Sequence, residues 1–295
     1  MKGKKILLDQ GSKDWLEFRK DKIGASDAPV IMELSPWSTP YQLYQEKKKL
    51  VKEKTANFAM QRGTLLESEA RVKVNAELKT HFIPCVYTHR EYEYLMASLD
   101  GVDFKESHIL EIKCPNPATH SMAVKGIIPD HYYCQMQHAM MVSGISEGIY
   151  ASYDGRDIAI VETALNPDYV QNMIQKELEF YQCLKNNTPP PSKESDHVVV
   201  QMQNPDIFFQ WKQASESLKE LENTEKSLRS QLIDLGDDGN IILSYEDILL
   251  CKMTRVNRKG SVDWVSLCKD LKIEDSIVKK YQKEQISYYC IKALE

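Results

Sequence analysis

Two short apolar-rich stretches, Tyr92 to Ser98 and His108 to Ile112, constrain the fold most. Each is too short for a helix, and the polar connection between them, with Gly101 and Ser107, is long enough to reverse the chain. They predict a hairpin or two neighbouring strands. Side chains alternate faces on a strand, so Glu111 and Lys113 point the same way while Leu110 and Ile112 point into a core. Asp100 falls at the end of the preceding strand, and pairing brings its carboxylate into one small space with Glu111 and the Lys113 ammonium. Two carboxylates this close repel, and a hard divalent cation taking oxygens from both relieves the repulsion. Magnesium suits that role, with manganese able to substitute. Such an ion polarises a phosphoryl oxygen and makes hydroxide available near neutral pH, the chemistry a phosphodiester requires. Neighbouring carboxylates raise the Lys113 pKa and a metal lowers it, so Lys113 is assigned to orienting water or stabilising developing negative charge. A plainer reading stands beside this one: Asp before Gly is a common turn, and Glu-x-Lys a common solvated strand face.

The company of these residues favours the chemical reading. Five separated blocks occur in order: Trp15-Leu16-Glu17-Phe18-Arg19 with Ile23-Gly24-Ala25-Ser26-Asp27; Arg62-Gly63-Thr64-Leu65-Leu66-Glu67; Ser98-Leu99-Asp100-Gly101; Leu110-Glu111-Ile112-Lys113-Cys114-Pro115; and Tyr133-Cys134-Gln135-Met136-Gln137-His138. Together they resemble the PD-(D/E)xK nucleases, and within them the lambda exonuclease and YqaJ-like phage recombinase nucleases, over residues 12 to 185. The resemblance implies a restriction-endonuclease-like α/β core, with a central mixed sheet flanked by helices. It implies Asp100, Glu111 and the Ile112 carbonyl as metal ligands, Glu67 beside them, and Lys113 as the active-site lysine. Arg19, Ser26, Ser98 and Gln135 match positions that contact phosphate near the 5′ end of the degraded strand. An arginine fork, short hydroxyls and a helix start suit a phosphate, and Ser26 before Asp27-Ala28-Pro29 reads as such a start. Without the blocks, Arg19 reads as a surface partner of Asp21 or Glu17, Ser26 as an ordinary cap, and Glu67 as a solvated helix residue. Asp103 is a competing acid; Asp100 is preferred because it precedes Gly101 and Asp103 would be more exposed in the turn. His131 and His138 are two helical turns apart, which argues against one shared metal site.

Composition bounds the remaining classes. The only early apolar run, Ile6-Leu7-Leu8, is far too short for a signal peptide or membrane span, so a cytoplasmic enzyme without a membrane partner is expected, in a bacterial host for a phage or prophage protein. Seven scattered cysteines without a C-x2-C pair exclude zinc fingers, disulfide scaffolds and an iron-sulfur cluster. With 38 basic and 43 acidic residues the net charge is −5, unusual for a passive DNA binder. A lysine excess in the first sixty residues, including Lys2, Lys20, Lys22 and Lys47 to Lys54, offers a phosphate-contacting patch or merely a solvated helix end. Enclosure of the substrate would compensate for the charge; the resemblance implies a closed homo-oligomer, a trimeric ring favoured, acting on double-stranded DNA, with a single-strand annealing protein as partner.

Asn186-Asn187-Thr188-Pro189-Pro190-Pro191-Ser192 reads as a domain edge, separating a nuclease domain at 1–188 from an extension at 189–295. In the extension Trp211, Ala214, Leu218, Leu221, Leu228, Leu232 and Leu235 form a heptad stripe on a helix of about 25 residues, with Glu225 at the one missing seam position. A stripe this short is expected to pack back on its own chain, the alternative being another subunit. A small hairpin from Ile241 to Val256 and a helix opening at Gly260 to Trp264 follow. The reading is a magnesium-dependent exonuclease that degrades duplex DNA from a 5′ end to leave a 3′ single strand. The alternatives are an endonuclease on the same core and an inactive DNA-binding recombination accessory.

Overall fold

A computed structural model describes residues 2–51, 58–200, 202–235, 240–256 and 260–280. The chain divides into two compact units, Met1–Val200 and Gln201–Glu295. The first begins with β1 (Lys4–Ile6), α1 (Lys13–Arg19), β2 (Ile23–Gly24), α2 (Ala28–Ile31), α3 (Pro40–Lys47) and α4 (Phe58–Glu77). β3 (Phe82–Thr88), β4 (Leu95–Asp103) and β5 (His108–Lys113) follow, then α5 (Pro117–Val124) and α6 (Asp130–Ser143). β6 (Glu147–Tyr153), β7 (Ile158–Ala164) and α7 (Pro167–Asn186) complete it. The strands form one mixed sheet in the order β1-β3-β4-β5-β6-β7, with β2 also on β4; β5–β6 and β2–β4 are parallel, the rest antiparallel. This is the central mixed sheet flanked by helices that the motif blocks implied.

Both faces of the sheet are covered. Ala70 and Val74 of α4 pack on Phe82, Leu110, Ile112, Ile149 and Tyr153, while Met136, Ala139 and Met140 of α6 and Met173 of α7 share the other core with Leu95, Leu99, Ile109 and Tyr150. β5 therefore reads as a buried central strand with one acid in it, and Glu111 is 2% exposed. Local chemistry sets the helix ends: Asn166 accepts the Tyr169 N–H, Pro167 fills the first position of α7, and Asn187 ends it in a left-handed conformation.

The strand before the acids lies further along the chain than its apolar pattern suggests. β4 runs through Asp100 and Gly101 to Asp103, while the Leu95 N–H bonds to the Tyr92 carbonyl in the preceding turn. Gly101 is thus a strand residue and no part of the turn. Its partners explain it, since a Cβ there would lie 2.5 Å from Cβ of Phe82 on β3 and 3.3 Å from Cβ of Leu110 on β5.

The Pro-rich segment belongs to the first unit. Asp196 accepts hydrogen bonds from Thr39 Oγ1 (2.7 Å) and Gln42 Nε2 (2.9 Å), Gln45 donates to the His197 carbonyl, and Lys193 pairs with Glu33. The second unit holds α8 (Asp206–Asp234), an antiparallel hairpin of β8 (Ile241–Tyr245) and β9 (Ile248–Met253), then α9 (Trp264–Asp270) and α10 (Asp275–Lys280). α8 buries none of its residues, and Leu218, Leu221, Leu228, Leu232 and Leu235 are exposed, so the expected packing of the stripe on its own chain is not found among the described residues. No helix of the described residues is long and apolar enough to cross a membrane.

Candidate active site

Glu111 and Lys113 reach the site because β5 alternates, and Asp100 because β4 is irregular. Val102 pairs with Ile83 and Leu99 with Cys85, so Asp100 and Gly101 together oppose the single residue Pro84. A proline has no N–H to give the ladder, and a bulge opposite it re-aims one side chain. The β4–β5 ladder likewise stops at the Gly101–Leu110 pair, beyond which the Ile112 N–H donates to Asp100 Oδ2 at 2.7 Å. The Asp100 carboxylate is thereby anchored to the strand that carries Glu111 and Lys113.

Around Glu111 the contacts are dense. Lys113 Nζ lies 2.5 Å from Glu111 Oε1, and Gln135 Nε2 of α6 donates to the same oxygen at 2.6 Å. Burial raises the Glu111 pKa to about 7, with Asp100 and Glu67 adding to the rise against the pull of Lys113. Asp100 is also raised, by burial above all, although Lys113 and the Ile112 N–H oppose it. For Lys113 burial favours the neutral amine, but Glu111 and Asp100 outweigh it and the pKa rises. The two acids thus hold Lys113 as an ammonium, the form that a charge-stabilising role needs.

Glu67 arrives from α4. Burial and then Asp100 raise its pKa, and Arg71, one turn on, pairs with its carboxylate while donating to the Asp100 carbonyl at 2.9 Å. Nothing in the sequence singled out Arg71; its spacing of four from Glu67 on a helix was the available signal. Arg62 was likewise missed. It donates to the Cys114 carbonyl at 3.1 Å and to the Asp154 carbonyl, tying the ends of β5 and β6 together below the site.

Among the described residues no three His, Cys, Asp or Glu side chains converge into a ready cage for an ion. A buried carboxylate, Glu111, whose pKa is raised by burial and by the neighbouring Asp100, beside an ammonium paired to it, nevertheless fits a divalent cation of the magnesium type, which keeps several waters and needs few protein oxygens.

A second cluster adjoins β4. Trp15 Nε1 donates to Ser98 Oγ at 2.8 Å, the Arg19 guanidinium stacks 4.7 Å from the Trp15 ring, and Arg19 Nη2 lies 3.5 Å from Ser26 Oγ. Arg19 makes no ion pair with Asp21 or Glu17, the latter being taken by Lys20. Because β2 runs parallel to β4 with Gly24 beside Met96, Ser26 and Ser98 are carried in the same direction. The structure thus brings Arg19, Ser26 and Ser98 together and places Gln135 with Glu111.

Several expectations are corrected. Ser26 does not cap α2; Asp27 holds the cap position, its side chain accepts the Gly24 N–H at 2.9 Å and pairs with Lys47 at 2.6 Å, and Ser26 stays exposed. Asp103 is 8% exposed, more buried than expected, because it accepts from the Ser107 N–H, the Ser107 hydroxyl and the His108 N–H. That duty closes the β4–β5 turn. The lysine excess is not one free patch: Lys2 pairs with Glu106, Lys20 with Glu17 and Lys47 with Asp27, while Lys22 donates to the Glu93 carbonyl. Lys52 and Lys54 lie outside the described residues. His138 is fully buried against Glu177, while His131 lies edge-on to Trp37, so the two histidines have separate surroundings.

The geometry has parallels in known proteins. Over 174 residues the chain is 28% identical to YqaJ of Bacillus subtilis (strain 168), covering 57% of this chain and 54% of that protein. The chain thus spans about half the length of that curated relative. The alkaline exonuclease LHK-Exo from Laribacter hongkongensis superposes with a TM-score of 0.54 at 25% identity, over 60% of this chain and 94% of that one. The same exonuclease in complex with dAMP superposes with a TM-score of 0.53. Residues 14–146 match the model of the YqaJ-like viral recombinase domain, to which this stretch of the chain is similar.

Proposed function

We propose that this chain is a magnesium-dependent deoxyribonuclease that degrades linear duplex DNA from a 5′ end and leaves a 3′ single strand. The observation that carries the reading is the group of half-buried Asp100, buried Glu111 and half-buried Lys113, bordered by Glu67 and Gln135. The likeness to an alkaline exonuclease, one structure of which holds dAMP, supports a nucleotide as the ligand.

Asp100, Glu111 and the Ile112 carbonyl would hold the ion, with Glu67 adjoining. Once bound, the ion polarises a phosphoryl oxygen and makes hydroxide accessible near neutral pH. Gln135 keeps the Glu111 carboxylate in one orientation by donating to Oε1. Lys113 keeps its proton and meets negative charge developing on the phosphate. Arg71 fixes Glu67 and the Asp100 main chain, so the acids are preorganised. Arg19, with Ser26 and Ser98 beside it, offers a donor fork and hydroxyls to a terminal phosphate.

Net charge bears on assembly. A chain at −5 holds polyanionic DNA poorly at physiological salt unless the duplex is enclosed, which favours a closed ring of identical chains, a trimer first among them. A 3′ tail of this kind is a substrate for a single-strand annealing protein, the expected partner.

The test offers linear duplexes with 5′-phosphate or 5′-hydroxyl ends beside covalently closed circles, with and without magnesium. The expected result is metal-dependent loss of linear duplex, faster from 5′-phosphate, with circles spared. Linearised circles would make the protein an endonuclease, and cleavage of neither substrate would leave it an accessory.

A further inference from the structure

Trp37 is 67% exposed, yet it is the outer member of a file of rings leading to the site. His131 meets it edge to face at 4.9 Å, Tyr132 lies 4.0 Å from His131, and the Lys113 ammonium stands 5.3 Å from the Tyr132 ring centre. Tyr150 backs Tyr132 from within the core at 5.8 Å. Resting on the nuclease reading, we propose that Trp37, His131 and Tyr132 form a stacking platform for a nucleobase next to the scissile phosphate.

The loop that presents Trp37 is stiff. Pro36 and Pro40 bracket it, the Leu34 and Ser35 N–H groups both donate to the Pro29 carbonyl, the Trp37 N–H donates to Ser35 Oγ, and Thr39 caps α3. Prolines and a satisfied backbone reduce the entropy lost on binding, so the exposed indole is placed in advance. Burial and the nearby Lys113 hold the His131 pKa below its usual value. The platform is therefore neutral beside a charged cluster, which suits a base and does not suit a phosphate. Stacking on rings tolerates every base, because each has a π-face.

The experiment uses the full chain with linear duplexes carrying 2-aminopurine at the first, second or third nucleotide from the 5′ end, in chelator. Wild type is expected to quench one of these positions on binding. Trp37→Ala should lose most of that quenching and bind about fivefold to a hundredfold more weakly, the range for one lost base–aromatic contact, and Trp37→Phe should recover most of both. Equal quenching in wild type and Trp37→Ala, or no quenching by a protein that cleaves duplex, would overturn the platform and leave the nuclease reading standing. A wild type that quenches but cleaves nothing with magnesium supports the platform and refutes the nuclease reading.

Discussion

His138 and Glu177 bind α6 to α7 through a pair that is fully buried, with Nδ1 and Oε1 2.6 Å apart. His138 Nε2 lies 2.9 Å from the Met96 carbonyl of β4. With Glu177 ionised, the carboxylate and the carbonyl only accept, so both ring nitrogens donate and the imidazole is charged. Burial alone would favour the neutral ring, but Glu177 and the Met96 carbonyl outweigh it and the pKa rises above 6.5. Replacing Glu177 by Met leaves that charge buried and uncompensated, a loss of about 3–5 kcal/mol, a large part of a domain stability of roughly 5–15 kcal/mol. Replacing both, His138→Leu with Glu177→Met, removes the charges together and should lie much closer to wild type, the more so because Glu177 Oε2 has no partner. The sign with pH follows from the raised pKa: the pair contributes fully below about pH 6.5 and loses its contribution as pH rises through the folded-state value. Urea unfolding of the three proteins at pH 6 and pH 9, followed by circular dichroism, measures both effects. A single variant as stable as the double one at pH 6, or a wild-type stability equal to the double variant's at every pH, would refute the reasoning.

Three further outcomes are expected. Asp100→Asn or Glu111→Gln should abolish cleavage while DNA association survives, whereas Asp103→Asn should retain cleavage and lose about 1–2 kcal/mol of stability, because its hydrogen bonds serve the turn; cleavage kept in both of the first two would move the chemistry elsewhere. Gly101→Ala sets a Cβ against Phe82 and Leu110 and should cost about 1–3 kcal/mol by denaturation, together with a fall in cleavage from the displaced Asp100; an unchanged midpoint would show that the strands separate freely. Arg19→Ala should reduce the preference for 5′-phosphate over 5′-hydroxyl ends more than it slows basal cleavage, measured as the ratio of the two rates.

Much of the architecture was legible because it repeats at short range. The apolar stretch at His108 to Ile112, the stripe from Trp211 to Leu235 and the hairpin at Ile241 to Val256 are local signals. The alternation of β5 alone put Glu111 and Lys113 on one face. Placing Gly101 in the reversing connection was the natural local inference, and it failed because the need for that glycine lies in Phe82 and Leu110, on two other strands. Arg71 and Arg62 went unremarked for a related reason, since a helical arginine looks solvated until the carbonyls it reaches are known.

The order of residues by itself determined which acids and amine were available, their place on a buried strand, and the helices that border them. Tertiary structure alone decided how they are used. Pro84, on the neighbouring strand, makes Asp100 and Gly101 share one opposing position, and that bulge turns the Asp100 carboxylate toward the Ile112 N–H and its neighbours. Burial between α4 and α6 then raises the pKa of Glu111 and lets Lys113 and Gln135 compete for its oxygen. Hydrogen-bonding partners and local dielectric depend on distance in space, and the strands and helices that set them are far apart in the chain.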